Sequence, residues 1–209
     1  MPKPTFYNLS EDKRAVLLRA AKKEFSASSL QEASIANIVK TAGIPRGSFY
    51  QYFEGKEDVY FYLLEVNLQE NEDLFRKAIE QNEGDLFETF ITMFHTNLMN
   101  FESLENRDFF RNMMLNMNHK VEKAFASSMR EQRQQELMQL ASKINIGRLS
   151  LQHPQELFHL LNIIHAVTFH NLTQHFVNEW SVDEALSNYK QELNLIKRGV
   201  YNNEGETSI

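Results

Sequence analysis

Cysteine is absent from the 209 residues, which excludes disulfides and thiolate metal sites. No apolar run approaches the roughly 18 residues of a membrane-spanning helix. The opening MPKPTFYNLSEDKR has no apolar core of a secretion signal. The expectation is a cytoplasmic protein with no membrane partner. Strand-like alternation and internal repeats are missing as well, so the chain reads as all-α. It contains no clustered acid–base pair, nucleophile triad or phosphate-binding loop, so neither catalysis nor a cofactor is expected. Glycine and proline are scarce, seven and four, so each one reads as punctuation.

That scarcity draws attention to IANIVKTAGIPRGSFYQYFEGKE, residues 35–57, which holds Gly43, Gly47, Gly55 and Pro45. Ile35, Ile38 and Val39 have the spacing of a short amphipathic helix. Ala42-Gly43-Ile44 breaks it, because glycine tolerates the positive φ of a sharp helix exit. A second short helix follows, with Pro45 suited to its first turn, where a missing N–H costs nothing. Two short helices joined by a Gly-containing turn form a helix-turn-helix, whose second helix enters the DNA major groove. Phe49 and Phe53, four apart, point inward together. Gly47, Ser48, Tyr50 and Gln51 then occupy the outward arc, and Arg46 sits in the first turn, where recognition helices present side chains to base edges.

Charge is distributed to match. The net charge is −6, yet residues 1–56 carry nine Lys/Arg against five acids, a balance of +4. The rest carries 13 against 23, a balance of −10. A basic head on an acidic body suits a protein that meets phosphate at one end.

In chain order, residues 1–9 read as a disordered arm. Ser10 is placed to cap a helix running to about Ser26, with Val16, Leu17, Ala20, Ala21 and Phe25 on its core stripe. After a loop, Ser34 is placed to cap the next helix. Beyond Lys56 the expected helices are 57–81, 85–101, 105–118, 120–144, 154–179 and 182–199. Ser181 and Glu184 form a capping box at the last start. The tail, 202–209, is polar and expected to be disordered.

Two features of the body carry chemistry. Met93, Phe94, His95, Met99, Phe109, Phe110, Met113, Met114 and Met117 make a Met- and aromatic-rich zone, which either lines an apolar effector pocket or fills a helical core. His165 and Phe169 join the pocket candidates. The helix 154–179 is apolar over about two thirds of its circumference and must bury two faces. One meets its own body; the other meets a second copy, or the helix is simply central in a monomer. With the last helix it suggests a four-helix interface involving Phe158, Ile163, Val167, Phe176, Leu186, Tyr189 and Leu193. His159, Asn162, His170 and Thr173 form a polar strip. No two of His159, His165, His170 and His175 stand four apart, so no metal site is expected.

Residues 10–60 resemble the TetR family of bacterial transcriptional repressors. The resemblance rests on Phe25, on Ser34-Ile35, and on an AG-x-x-x-G-x-x-Y-x-x-F-x-x-K array from Ala42 to Lys56, followed by Glu57-Asp58-Val59. The chain departs from the pattern at Ser29, where Gly is usual, at Val39, where Ala is usual, and at Pro45, often Ser or Thr. What the resemblance implies is an all-α homodimer. Residues 1–56 would bind palindromic double-stranded DNA, and 57–201 would dimerise and hold a small apolar effector that releases it. Tyr50 and Lys56 match phosphate contacts. Arg46, Gly47, Ser48, Gln51 and Tyr52 match recognition-helix positions. Ser34, Ala36 and Asn37 match the phosphate-facing start of the preceding helix. An activator, an effector-independent regulator, or a helical small-molecule-binding protein without DNA function would share the same fold.

Overall fold

The computed structural model describes residues 1–101, 104–116 and 139–201. Among the described residues the regular elements are helices, with one isolated antiparallel bridge, Leu149 to Tyr201. Met117, residues 120–138 of an expected helix and the 202–209 tail lie outside the described residues. The chain divides into two compact units, Met1–Asn71 with Asn100–Met129, and Glu72–Met99 with Arg130–Ile209.

The first unit holds α1 (Pro4–Tyr7), α2 (Glu11–Ala27), α3 (Ile35–Ala42), α4 (Arg46–Tyr52), the start of α5 (Lys56–Gln81) and α7 (Leu104–Asn116). Leu17, Ala20, Ala21 and Phe25 of α2 are buried as their spacing requires. Val16 is not; it is 41% exposed at the edge of that stripe. α7 packs along α2 and closes its end, because Asn112 Nδ2 donates to the Phe25 carbonyl at 2.7 Å. The Lys22 ammonium lies 5.5 and 5.7 Å from the Phe109 and Phe110 ring centres, a cation held over negative π-faces. The expected disordered arm is a correction: α1 begins with Pro4 in its first turn, and Phe6 is fully buried. An apolar ring with a place to go outweighs the cost of ordering a short segment.

In the second unit, α6 (Leu86–Phe101) up to Met99, a 3₁₀ turn (Ile146–Arg148), α8 (Pro154–Asn178) and α9 (Val182–Val200) follow the end of α5. Gly84 turns the chain at φ +80, where a Cβ would meet the Asn145 backbone nitrogen at 3.0 Å. Asp85 then caps α6, accepting the Glu88 N–H at 3.0 Å. Its second oxygen accepts from the Tyr201 hydroxyl and from Arg148 at 3.3 Å, with Lys197 at 3.6 Å. Burial works against the Asp85 charge. The Tyr201 hydroxyl, the backbone N–H groups of Glu88 and Phe87 and the Lys197 ammonium outweigh it and hold the carboxyl below its usual value. Burial first, then the neighbouring carboxylate, pushes the Tyr201 phenol up to about 12. α8 and α9 pack together. α9 opens with the expected capping box, Ser181 and Glu184 each bonding the other's backbone. Ser10 and Ser34 stand at helix starts, but neither hydroxyl caps.

Candidate nucleic-acid interface

Gly43 ends α3 at φ 67, and Ile44 N–H returns to the Val39 carbonyl at 3.1 Å, the closure that lets the chain reverse within three residues. Pro45 stands just before α4 rather than inside its first turn, at φ −61 and ψ 144. An extended ψ cannot continue a helix backwards, so the proline sets the sharp start at Arg46. Ile38, Phe49 and Phe53 are fully buried and anchor both helices from beneath. Arg46, Gly47, Tyr50 and Gln51 face outward, and Ser48 and Tyr52 are half-buried.

The outward side chains are partly organised in advance. Arg46 Nη2 lies 3.4 Å from the Tyr50 hydroxyl, and its guanidinium carbon is 5.9 Å from that ring's centre. One turn apart on the helix, the two form an exposed pair. On α3, Ala36 and Asn37 are exposed. Glu24 of α2 bonds the Ser34 N–H at 2.7 Å and Asn37 Nδ2 at 3.2 Å. Ser34 therefore contributes its backbone to a carboxylate rather than its hydroxyl to the helix. The Lys56 ammonium donates to the Gln31 carbonyl and, at 3.0 Å, to that of Ala33, fastening the loop before α3. Ser29 folds into that loop with its hydroxyl on Glu32 at 2.8 Å.

Sequence reasoning overlooked Glu24 and the α1 segment. Lys3, Thr5 and Phe6 all touch the end of α4 or the residue after it. A proline two residues ahead of an aromatic was the available signal for α1. Nothing local signals Glu24, whose partners lie ten and thirteen residues on.

The body candidates separate between the units. Phe110 and Met113 are buried on α7 and Met114 is half-buried there. Phe94, 1% exposed, stacks on Tyr189 with ring centres 4.0 Å apart. Met93 is half-buried beside it in sequence and His95 is exposed. His165 lies on the exposed side of α8, its Nδ1 2.8 Å from the Leu161 carbonyl, and Phe169 is 43% exposed. Three interface candidates need correcting. Phe176, Tyr189 and Leu193 are at most 1% exposed within the single chain, and the Tyr189 hydroxyl meets Thr168 at 2.7 Å. Periodicity identified their faces of α8 and α9 but not which neighbour covers each. Phe158 and Ile163 are 48% and 51% exposed, while Val167 and Leu186 are half-buried. His159, Asn162 and His170 are exposed beside them. Among the described residues, no group of His, Cys, Asp and Glu could hold a metal ion, and no helix is long and apolar enough to cross a membrane.

Comparison with known proteins adds two family models. Residues 17–63 match "bacterial regulatory proteins, tetR family", and residues 85–200 match "tetracyclin repressor-like, C-terminal domain". The uncharacterized HTH-type transcriptional regulator YdgC of Bacillus subtilis is 42% identical over 53 residues, 25% of this chain and 27% of that protein. The HTH-type transcriptional regulator EthR of Mycolicibacterium smegmatis is 31% identical over 75 residues, 36% of this chain and 35% of that protein. The chain thus matches about a third or less of the length of these curated relatives. Among solved structures, SmeT, described as the repressor of the Stenotrophomonas maltophilia multidrug efflux pump SmeDEF, superposes with a TM-score of 0.65 at 16% identity, covering 93% of this chain and 94% of that one. The fatty acid degradation regulator FadR of Bacillus halodurans gives 0.65 at 16% identity over 86% of this chain and 96% of that one. At such identities the likeness is one of fold.

Proposed function

The chain belongs to the TetR family of bacterial transcriptional regulators, and from that premise we propose that it is a cytoplasmic, homodimeric repressor. Residues 1–56 read a pseudo-palindromic operator, and a small apolar effector bound in 57–201 releases it. The observation that carries this reading is the division of α4: Phe49 and Phe53 are fully buried, while Arg46, Tyr50 and Gln51 are left outward on a basic head. Arg46 is the base reader, since its planar fork can bond guanine bidentately. Tyr50 and Lys56 hold phosphate, with Ala36, Asn37, Gly47 and Ser48 shaping the approach. No reaction is part of this reading.

Dimerisation finds its support on α8. Phe158 and Phe169, eleven residues apart, fall within about 20° of each other around the helix and are 48% and 43% exposed. Ile163 and Val177 on α8 and Leu195 on α9 are 51%, 53% and 68% exposed. So much apolar surface on two adjacent helices suits a twofold four-helix contact with a second copy. The half-buried Met93 of α6 supplies adaptable surface of the kind an apolar effector needs.

The experiment is selection of duplexes from a randomised pool, followed by stoichiometry and salt titration on the winner. The proposal predicts an inverted repeat, two protomers per site as the smallest complex, and affinity that falls steeply with salt. Recovery of no preferred sequence, with equal weak binding to every duplex, overturns it.

A further inference from the structure

The last four carbonyls of any α-helix lack intrahelical partners, and a short helix has little else to hold it. α4 has only seven residues. The Phe49 carbonyl accepts from the Phe53 N–H at 2.9 Å. The other three are satisfied from one remote stretch. The Tyr50 carbonyl accepts from the Lys3 ammonium at 3.0 Å, that of Gln51 from the Thr5 hydroxyl, and that of Tyr52 from the Lys3 N–H at 2.8 Å. The cation also sits at the negative end of the helix dipole. Phe6 locks the arrangement: it is fully buried, with ring centres 5.0 Å from Phe53 and 5.3 Å from Tyr62.

We propose that residues Lys3–Phe6 are a positioning strap for DNA reading, a C-terminal cap in trans along the chain that sets the angle at which α4 presents Arg46, Tyr50 and Gln51. Lys3 and Thr5 act through the helix rather than through DNA. This rests on the DNA-binding function proposed above. The strap reaches every orphan carbonyl of the reading helix that the helix cannot satisfy itself, and α1 packs against α4. Loosening it lets α4 tilt. A tilt of the reading face weakens base contacts, which need fixed geometry, more than phosphate contacts, which tolerate movement.

The test uses the full chain with Lys3→Met and Thr5→Val combined, and Thr5→Ser as the conservative partner that keeps a hydroxyl. Affinity is measured for the duplex selected by the wild type and for an unrelated duplex of equal length, across a salt series. Amide exchange of α4 is followed in the free protein. The double variant should lose about tenfold on the selected duplex, the weight of two side-chain hydrogen bonds. It should change little on the unrelated one, keep the wild-type salt slope, and exchange its α4 amides faster while those of α9 stay unchanged. Thr5→Ser should behave as wild type. Equal loss on both duplexes with a salt slope reduced by about one makes Lys3 a direct phosphate ligand and overturns the strap. Wild-type exchange in α4 overturns it as well. If the wild type selects no duplex, the DNA reading fails by itself, and faster or unchanged α4 exchange still supports or overturns the strap.

Discussion

α4 and α9 are both helices that the sequence announces, yet they are held in opposite ways. α9, nineteen residues long, carries its own start signal in Ser181 and Glu184 and buries its own stripe of Ala185, Tyr189 and Leu193. α4 has seven residues and no side-chain cap at its start, and its last three carbonyls are satisfied by Lys3 and Thr5. A long amphipathic helix can pack largely on its own terms. A short helix with one face open to solvent takes its stability from what surrounds it.

The sharpest way to break the contrast is in the body. Tyr189→Ala removes a fully buried ring stacked on Phe94 and should cost about 3–5 kcal/mol in urea unfolding. A loss under about 1 kcal/mol would mean that α9 is not anchored by this ring. In the head, Gly43→Ala meets no atom within 4 Å but must hold φ +67. Its cost is therefore backbone strain alone, about 1–2 kcal/mol, read as a lower melting midpoint with weaker DNA binding. An unchanged midpoint would show that the turn relaxes. Ser181→Ala should cost about 1 kcal/mol, the ordinary worth of a cap, and leave α4 amide exchange untouched. Changed exchange in α4 would contradict the self-sufficiency of α9.

The pH effect is the smallest. The Asp85 carboxyl is held below its usual value of 3.8 in the folded chain. Its stabilisation is therefore complete above that value and fades as pH falls through the lower folded-state value. The urea midpoint of wild type over Asp85→Asn should lead at pH 7 and shrink toward pH 3. A lead that grows in acid would reverse the assigned sign.

Legibility follows the same contrast. The boundaries of α2, α3, α8 and α9 fall within a residue or so of those read from caps, glycines and spacing, because these signals act within one or two turns. Gly43 and the inward pair Phe49 and Phe53 were readable for that reason. The long-range contacts around α3 and α4 were not. Glu24 on Asn37, Lys56 on the Gln31 and Ala33 carbonyls, and Lys3 on Tyr50 join residues 13 to 47 positions apart. Side-chain spacing carries no trace of such pairings. Phe176, Tyr189 and Leu193 failed as interface residues for a related reason. Phe176 stands on a helix apolar over about two thirds of its circumference, while Tyr189 and Leu193 belong to the single stripe of α9, and only the fold shows which neighbour covers each.

The central claim is that the outward face of α4 reads bases. It is tested most directly by competing wild type and Arg46→Ala against a panel of single-base variants of the selected duplex. Base reading by Arg46 predicts that the variant loses discrimination at one position per half-site, about 1–3 kcal/mol there, and keeps it elsewhere. Uniform weakening at every position, with preference intact, would contradict it and reduce Arg46 to a phosphate contact.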